Sequence, residues 1–505
     1  MSDPKPARDL ERKFCSHPFR KFETLVDGNV APCCSLWVEE RLGNVDKQSF
    51  EEIWNSDAAQ RIRRSIHDGS FAYCRKDRCK YIIHGTLPDR DAVTDPYLRQ
   101  VIDEQQTVLT RAPDWLFLAH DVTCNLSCPS CRSEIIAADE KQEARLDVIE
   151  RTVIKPILNA GSRVELSVSG QGDPWSSKHY RSILRYVADN HFELSLTIHT
   201  NGLLMTRDRW ASYVGLEKYK PVVDISIDAC RPWTYSVVRR NGDFRRLEEN
   251  LTFIAEKRQA GAFSELYLNA TIQLDNFHEL PALALFAKRF GCDGMRYYMI
   301  QKTGDHLDAE TYAKKNVASP DHPLHLAFLE TLRADIFDDP TCFLYDMEIL
   351  RQTSRATRLP SDENPVENEE HCVALVQAAL EQGEPVVAAA LAAHGRVRFP
   401  ESAAVCLAEG SALEALGFAE QARYRYREAL SLRPSEVDAH VCLGTNLVEA
   451  GEVGPGLREL FGAASLNPEG ALLDELAGYV TRLVELAQKR AEPNRMHLPV
   501  WYDAR

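Results

Sequence analysis

Six short apolar stretches, each followed by a polar loop and most by a helical stretch, fill residues 112–345 and restrict the fold more than any other feature. The stretches that we expect to form strands are 115–120, 163–169, 193–199, 222–227, 265–273 and 294–300. The stretches that we expect to form helices include 143–158, 179–190, 244–258 and 280–290. Strands and helices that alternate at this spacing form parallel βα units. The region therefore predicts an α/β fold built as a partial (β/α)6 TIM-like barrel, although an open parallel sheet fits the same pattern.

Segments of different composition flank this region. Residues 1–95 are rich in cysteine and too polar to build a stable hydrophobic core alone. Bound metal clusters commonly stabilise small domains of this kind. Residues 346–372 are polar and lack periodicity, which is typical of a linker. Residues 373–490 are rich in Ala, Leu and Glu, and we expect residues 491–505 to form a tail. The chain is therefore predicted to contain three domains.

A 34-residue period runs through residues 373–490. Pro400, Pro434 and Pro468 stand 34 residues apart. Glycines repeat in the same register as the pairs Gly410/Gly444 and Gly417/Gly451. On these residues the segment resembles the tetratricopeptide repeat family, which implies an all-α solenoid of stacked helix pairs. Ala-rich helices with prolines spaced by chance are the alternative.

Charge and hydropathy exclude some classes of partner. A net charge of −15 repels nucleic-acid phosphates, and no basic stripe offsets it. No run of about 18 apolar residues is long enough to span a bilayer. The first 13 residues carry charges and no apolar stretch, so we expect no secretion signal and a cytoplasmic location. We expect neither nucleic acid nor a membrane as partner.

The cysteines point to metal binding. Eight of the fourteen precede residue 132, and in a reducing compartment such usage indicates ligation or catalysis rather than disulfides. Cys124, Cys128 and Cys131 form a CxxxCxxC pattern directly after the first expected strand. Three thiolates can bind three irons of a [4Fe–4S] cluster and leave the fourth iron open to a small molecule. A structural zinc site is the alternative, but it needs four ligands with a tighter pairing.

The cysteine loop and the segments behind it resemble the radical S-adenosylmethionine (SAM) superfamily. The matching segments are Ser169-Gly170-Gln171-Gly172-Asp173-Pro174 after the second expected strand, His199-Thr200-Asn201-Gly202 after the third, Ser226-Ile227-Asp228-Ala229 after the fourth, and Arg239-Arg240-Asn241-Gly242 before the next helix. The residue before the third cysteine is often aromatic in that family and contacts the adenine. Here it is Ser130, so other groups must hold the adenine.

The resemblance implies which residues bind the cofactor. The loop formed by Gly170, Gly172, Asp173 and Pro174 would meet the methionine amino group of SAM. The cofactor or substrate cavity would be lined by Thr200, Asn201, Ser226 and Asp228. Arg240 would pair with the methionine carboxylate. Capping of the following helix by Asp228 and a surface position for Arg240 are the alternatives.

The resemblance also implies the chemistry. Reductive cleavage of SAM yields methionine and a 5′-deoxyadenosyl radical, which takes a hydrogen atom from an unactivated C–H bond of the substrate. An electron donor such as flavodoxin or ferredoxin would be needed. The protein contributes orientation and the exclusion of water, because the cofactor supplies the reactivity.

Residues 1–95 closely resemble the SPASM auxiliary-cluster domain. The matching residues are Cys15, Asp27-Gly28, Cys33, Cys34, Gly43-Asn44, Trp54, Cys74 and Cys79. The resemblance implies that Cys15, Cys33, Cys74 and Cys79 bind one auxiliary [4Fe–4S] cluster, with Cys34 as a spare ligand or as the substitute for Cys33. In that family the domain usually follows the barrel, whereas here it precedes it. A zinc ribbon is the alternative.

Three classes of function fit these features. The first is a radical SAM oxidoreductase that oxidises or crosslinks a peptide in natural-product maturation, with the helical repeats binding the peptide or a partner protein. The second is a radical epimerase or dehydrogenase acting on a sugar or antibiotic intermediate, in which Cys230 returns a hydrogen atom to the substrate. Packing of Cys230 as a small apolar residue is the alternative to that role. The third is a non-enzymatic iron–sulfur redox sensor or scaffold.

Overall fold

The computed structural model describes residues 10–302 and 307–467. The expected tail, 491–505, and the end of the expected repeats, 468–490, lie outside these residues. The chain divides into two compact units: Met1–Ser319 with Ala334–Thr353, and Pro320–Arg333 with Ser354–Arg505. None of the described helices is both long and apolar enough to cross a membrane.

The first unit is built on one sheet. Its strands are β1 (Lys21–Leu25), β2 (Asn29–Ala31), β3 (Gly43–Asn44), β4 (Trp115–Ala119), β5 (Val164–Val168), β6 (Leu194–Thr200), β7 (Val222–Ser226), β8 (Glu265–Ile272), β9 (Gly294–Met299) and β10 (Cys342–Phe343). Their order in the sheet is β10-β9-β8-β7-β6-β5-β4-β1-β2-β3. All pairs from β10 to β1 are parallel, and the pairs that β2 makes with β1 and β3 are antiparallel.

The parallel α/β fold is confirmed, and the six expected strands match β4 to β9 within one residue at each end. Closure into a (β/α)6 barrel is not established, because the hydrogen bonds of the described strands give an open order that ends at β3 and β10. Two strands that the sequence did not predict, β1 and β10, extend the parallel part of the sheet at its two edges.

In the first unit helices connect and cover the strands, and the second unit is largely helical. In chain order they are α1 (His17–Arg20), α2 (Phe50–Trp54), α3 (Asp57–His67), α4 (Lys80–Ile83), α5 (Pro96–Asp103), α6 (Glu140–Ile149), α7 (Lys155–Asn159), α8 (Lys178–Asp189), α9 (Arg207–Ala211), α10 (Pro232–Val238), α11 (Phe244–Gln259), α12 (Leu280–Arg289), α13 (Ala309–Lys315), α14 (His325–Leu332), α15 (Met347–Ala356), α16 (Pro360–Glu363), α17 (Glu369–Glu381), α18 (Pro385–Arg398), α19 (Ala403–Ala415), α20 (Ala419–Leu432), α21 (Val437–Glu449) and α22 (Val453–Leu466). A π-helical segment, Glu150–Ile154, joins α6 to α7, so the helix expected at 143–158 is wound in three parts.

The two faces of the sheet differ in polarity. Burial alternates along β5 and β8, as the two-residue period of a strand requires. Leu266 and Leu268 are fully buried, and the Tyr297 hydroxyl donates to the Leu280 carbonyl, so this face packs under the helices. The opposite face carries polar residues such as Ser167 and Asn269, which are only half-buried. A polar face of this kind is available to a ligand.

The cysteine-rich segment contacts both edges of the parallel sheet. At one edge β1 pairs with β4 over five residues, from Lys21 opposite Trp115 to Leu25 opposite Ala119. At the other edge the Lys80 ammonium lies 5.1 Å from the ring centre of Tyr345, which follows β10. The cysteine-rich segment therefore lies beside the polar face of the sheet, between the two edges that it contacts.

The second unit consists largely of helix pairs. The first helices of three pairs, α17, α19 and α21, begin at Glu369, Ala403 and Val437, and their partners begin at Pro385, Ala419 and Val453. Each helix of the second and third pairs begins 34 residues after the corresponding helix of the preceding pair, which confirms the predicted period. The expected linker is mostly helical, because α15, α16 and the start of α17 occupy much of residues 346–372.

Candidate functional site

The three cysteines of the CxxxCxxC loop surround one cavity. It has a volume of ≈ 270 Å³ and lies where β4 to β7 end. The lining residues are Phe117, Cys124, Cys128, Cys131, Arg132, Ser169, Gly170, Gln171, Gly172, His199, Thr200, Asn201, Ser226 and Arg239. Active sites of βα proteins lie at this edge, because the loops after successive parallel strands meet there.

The loop after β5 contains Gly170 and Gly172, which allow it to lie against β4 and the cysteine loop. A Cβ at Gly172 would lie 2.5 Å from the Asp121 carbonyl oxygen, and a Cβ at Gly170 would lie 2.5 Å from the Phe117 ring and 2.7 Å from the Ala119 Cβ. Any larger residue would push the two loops apart. This close packing holds the backbone of the glycine loop on the wall of the same cavity as the three thiols.

Five of the nine residues expected to bind the cofactor line this cavity: Gly170, Gly172, Thr200, Asn201 and Ser226. Asp173 lies behind them, and Pro174 is not part of the lining. The buried Asp173 carboxylate accepts hydrogen bonds from Thr200 Oγ1 at 2.7 Å and from the Asn201 backbone nitrogen at 2.9 Å. It fixes the end of β6 relative to the glycine loop.

Two neighbouring arginines have different environments. Arg239 lines the cavity, and its Nε lies 2.9 Å from the buried carboxylate of Asp228. Arg240 instead donates to the backbone carbonyls of Ser127, at 3.0 Å, and Ser133, at 3.3 Å. The sequence singled out Arg240 and missed Arg239, because adjacent residues share every local signal and only the chain path after α10 separates them.

A polar network continues from the cavity along the polar face of the sheet. His199 lines the cavity, and its Nδ1 lies 3.2 Å from Asp224 Oδ2. Arg296 Nη1 lies 2.7 Å from Asp224 Oδ1, and its guanidinium stacks 3.5 Å from the ring centre of Tyr267. Burial alone would raise the pKa of Asp224, but the hydrogen bond from His199 and the charges of His199 and Arg296 hold it below its ordinary value. This network was not predicted from the sequence, because its three charged or polar members come from three different strands.

The N-terminal cysteines surround a second cavity. It is lined by the thiols of Cys15, Cys33, Cys74 and Cys79, and Cys34 is not among its lining residues. Its other walls are apolar or aromatic: Pro18, Trp37, Val38, Phe71, Tyr81, Ile82 and Leu87. Four thiols around one cavity are a donor set of the kind that binds an iron–sulfur cluster.

Burial raises the pKa of thiols at both sites. It raises the pKa of Cys15 and of Cys74 to about 12, and that of Cys124 to about 11. Iron binds thiolates, so a bound cluster would have to supply the positive charge that these buried sulfurs need to ionise.

Within the described residues, no three His, Cys, Asp or Glu side chains are grouped for a single metal ion. A zinc ion brings four sulfurs to about 2.3 Å from one point, whereas a [4Fe–4S] cluster binds each sulfur through a different iron and separates them more widely.

Aromatic rings connect the two cavities. Tyr81 lines the second cavity, and the His17 ring lies 5.1 Å from it and 5.2 Å from the Trp115 ring. The Lys21 ammonium lies over the rings of Trp115 and Phe117, at 5.2 and 4.4 Å, and Phe117 lines the first cavity. Both cysteine sites therefore border the same polar and aromatic face of the sheet.

Cys230 lies away from the first cavity. It is 5% exposed, its backbone nitrogen donates to Glu279 Oε2 at 2.7 Å, and it is not part of the cavity lining. Burial together with the neighbouring Cys342 and Cys230 raises the pKa of Tyr297, which faces α12. Cys230 thus lies near a residue of the helix-covered face.

A larger cavity of ≈ 440 Å³ lies between α6 and α8. Its walls carry the acidic residues Asp121, Glu143, Asp147 and Glu150 and contain no cysteine. The Glu150 carboxylate is held by His179 and Lys155, which lower its pKa to about 2. We assign no ligand to this cavity.

One family model matches the N-terminal segment. Residues 15–80 match the model of the SPASM family, an iron–sulfur cluster-binding domain. The match contains the four thiols that line the second cavity. No curated protein sequence matches the chain.

Several solved structures each resemble part of the chain. Histidine-tagged anSMEcpe with bound AdoMet is 17% identical and covers 43% of this chain and 55% of its own, with a TM-score of 0.30. The type III secretion chaperone SycD of Yersinia enterocolitica, in complex with a peptide of the translocator YopD, is 19% identical and covers 26% of this chain and 100% of its own, with a TM-score of 0.22. MamA is 19% identical and covers 35% of this chain and 96% of its own, with a TM-score of 0.21. These likenesses are too distant to carry a functional argument.

Proposed function

We propose that this protein is a radical SAM enzyme. The observation that carries the proposal is the cavity in which the thiols of Cys124, Cys128 and Cys131 meet the glycine loop and the ends of β6 and β7. Three thiols provide ligands for three irons of a [4Fe–4S] cluster and leave one iron free for SAM. When bound, the cluster and SAM supply a 5′-deoxyadenosyl radical that removes a hydrogen atom from the substrate.

The residues around the thiols have distinct roles in this proposal. The backbone of the loop that contains Gly170 and Gly172 meets the amino group of SAM, and Thr200, Asn201 and Ser226 contact the cofactor or the substrate. Asp173 and Asp228 act behind the cavity, by fixing the end of β6 and the Arg239 side chain. Arg240 holds the cysteine loop through backbone carbonyls, so we propose a positioning role for it.

The polar face of the sheet is the proposed substrate surface. His199, Asp224 and Arg296 form a hydrogen-bonded and charged group beside the first cavity. Such a group orients a polar substrate, because its partners are fixed before the substrate arrives. The N-terminal segment borders the same face and helps to exclude water.

We further propose one auxiliary [4Fe–4S] cluster bound by Cys15, Cys33, Cys74 and Cys79. The shared cavity of these four thiols supports this assignment, and the match to an iron–sulfur cluster-binding domain supports the kind of cofactor. Cys34 remains a spare thiol. A second cluster on the substrate face would accept one electron from the substrate radical, which is thereby oxidised while the cluster is reduced.

Oxidation or crosslinking of a peptide is the reaction that we place first. The repeated helix pairs of the second unit form the kind of surface that binds extended peptides. Hydrogen return by Cys230, as in a sugar epimerase, has less support, because Cys230 is not part of the cavity lining. A redox sensor needs no open iron, so SAM cleavage separates it from both enzymes.

Anaerobic reconstitution of the full chain tests the proposal. We expect about eight irons per chain, and 5′-deoxyadenosine when the reduced protein is given SAM. Cys128→Ala removes a proposed iron ligand and abolishes product formation. Cys292→Ala changes a half-buried cysteine that lines neither cavity, and it retains product formation. Wild-type protein with about four irons, one zinc and no 5′-deoxyadenosine would contradict the proposal.

A further inference from the structure

Each sulfur of the CxxxCxxC loop has a side-chain N–H donor that comes from outside the CxxxCxxC segment. The donor and acceptor pairs are Asn201 Nδ2 with Cys124 Sγ at 3.7 Å, Arg239 Nη1 with Cys128 Sγ at 3.7 Å, and Arg132 Nη2 with Cys131 Sγ at 3.4 Å. Two of these donors are guanidinium groups, which carry a full positive charge at any pH at which the protein folds.

Both guanidinium groups are held in place by further contacts. Arg132 is 7% exposed, and its guanidinium also donates to the backbone carbonyls of Val122 and Gln171. Arg239 is fixed by the Asp228 carboxylate at 2.9 Å. Because these charges are buried, water screens them weakly, and they act on the neighbouring sulfurs more strongly than surface charges do.

Positive charge beside the cysteine sulfurs affects how readily a bound [4Fe–4S] cluster is reduced. A [4Fe–4S] cluster that takes up one electron gains one negative charge, part of which resides on its sulfurs. Hydrogen bonds to the sulfurs and nearby positive charge stabilise the reduced form and raise the reduction potential.

We propose that Arg132 and Arg239 are positioning residues that raise the reduction potential of the cluster bound by Cys124, Cys128 and Cys131. The inference rests on the proposed function, because it requires that cluster. In the step itself, one electron passes from the external donor to the cluster, the donor is oxidised, and no bond forms or breaks. The arginines act through the cysteine sulfurs and widen the range of donors that can reduce the site.

The auxiliary site provides an internal reference. Its cavity has apolar and aromatic walls, and neither Arg132 nor Arg239 lines it. A change at either arginine therefore alters one cluster and spares the other in the same molecule.

A potentiometric titration of the reconstituted full chain, followed by electron paramagnetic resonance without SAM, tests the proposal. Arg132→Gln removes one charge, and Arg239→Gln combined with Asp228→Asn removes a charge pair without leaving a buried carboxylate alone. We expect both variants to shift the potential of the CxxxCxxC cluster to more negative values. Arg132→Lys keeps the charge but loses the forked donor, and we expect a smaller shift.

The matched control is Arg207→Gln, which makes the same chemical change on α9, where the arginine side chain is 65% exposed. We expect it to leave both potentials unchanged, and we expect the auxiliary signal to stay constant in every variant.

Equal potentials in wild type, Arg132→Gln and the double variant would overturn the inference. If Arg132→Gln fails to bind the cluster, unchanged potentials in Arg132→Lys and the double variant would overturn it equally. A failure of the proposed function can be distinguished from a failure of this inference. In the former case the wild-type protein itself would show no signal from a CxxxCxxC cluster.

Discussion

Adjacent residues with the same chemistry take different positions in this protein. Cys33 lines the four-thiol cavity and Cys34 does not, and Arg239 lines the first cavity while Arg240 binds backbone carbonyls outside it. The sequence resemblance favoured Cys33 in the first pair, as the cavity lining has it, but Arg240 in the second, where Arg239 lines the cavity. The backbone direction at one residue decides which side chain enters the site.

The pair of N-terminal cysteines gives a prediction at this scale. Cys33→Ala removes one of four thiols from the auxiliary cavity, so we expect loss of the auxiliary cluster and about four irons per chain after reconstitution. Cys34→Ala is the matched control, and we expect it to keep about eight irons. Iron analysis and electron paramagnetic resonance of both variants provide the measurement. The assignment fails if Cys34→Ala loses the cluster and Cys33→Ala keeps it.

At the scale of elements, periodicity located most strands and helices of the parallel sheet. The six expected strands correspond to β4–β9, and the 34-residue period corresponds to the starts of α17–α22. These elements follow from local pattern, because a buried parallel strand and an amphipathic helix each have a characteristic apolar period. The strand β1 was missed, because its neighbour β2 pairs with only two of its residues, and a partner for all five comes from β4, about 90 residues later.

The helix pairs give a prediction about packing. Gly410 on α19 lies against the Tyr426 ring of α20, so that a Cβ at this position would overlap the ring. We expect Gly410→Ala to lower the free energy of unfolding of the second unit by about 1–3 kcal/mol, as overpacking does. Gly454→Ala is the matched control, because a Cβ there meets no atom within 4 Å and a helical alanine is favoured by roughly 0.5–1 kcal/mol.

Urea unfolding of the full chain, followed by helical circular dichroism, measures both variants. Equal stability of Gly410→Ala and Gly454→Ala would contradict the packing of α19 against α20.

At the scale of the whole molecule, the N-terminal segment belongs to the same compact unit as the parallel sheet. It supplies β1 at one edge and Lys80 at the other, so its folding and that of the sheet support each other. This segment precedes most of the parallel strands in the sequence, yet it adds a strand to their edge and contacts the residues that follow the last of them. Order along the chain does not fix position in space.

Removal of iron tests this coupling. Binding energy of a cluster is folding energy for the segment that holds it. We expect chelation of iron under oxidising conditions to lower the melting temperature of the first unit, including its sheet, and to leave the transition of the second unit unchanged. Differential scanning calorimetry of holo and apo protein resolves the two transitions. A melting temperature of the first unit that does not respond to iron would contradict the coupling.

The sequence by itself determined the parallel βα units, the 34-residue helical period and the cysteines that gather at two sites. These features depend on local spacing, which the chain carries in its residue pattern. Only the tertiary structure decided that Cys33 rather than Cys34 faces the auxiliary cavity, that Arg239 rather than Arg240 lines the first cavity, and that His199, Asp224 and Arg296 meet on one face. Those outcomes depend on contacts between residues far apart in sequence, and no local period encodes them.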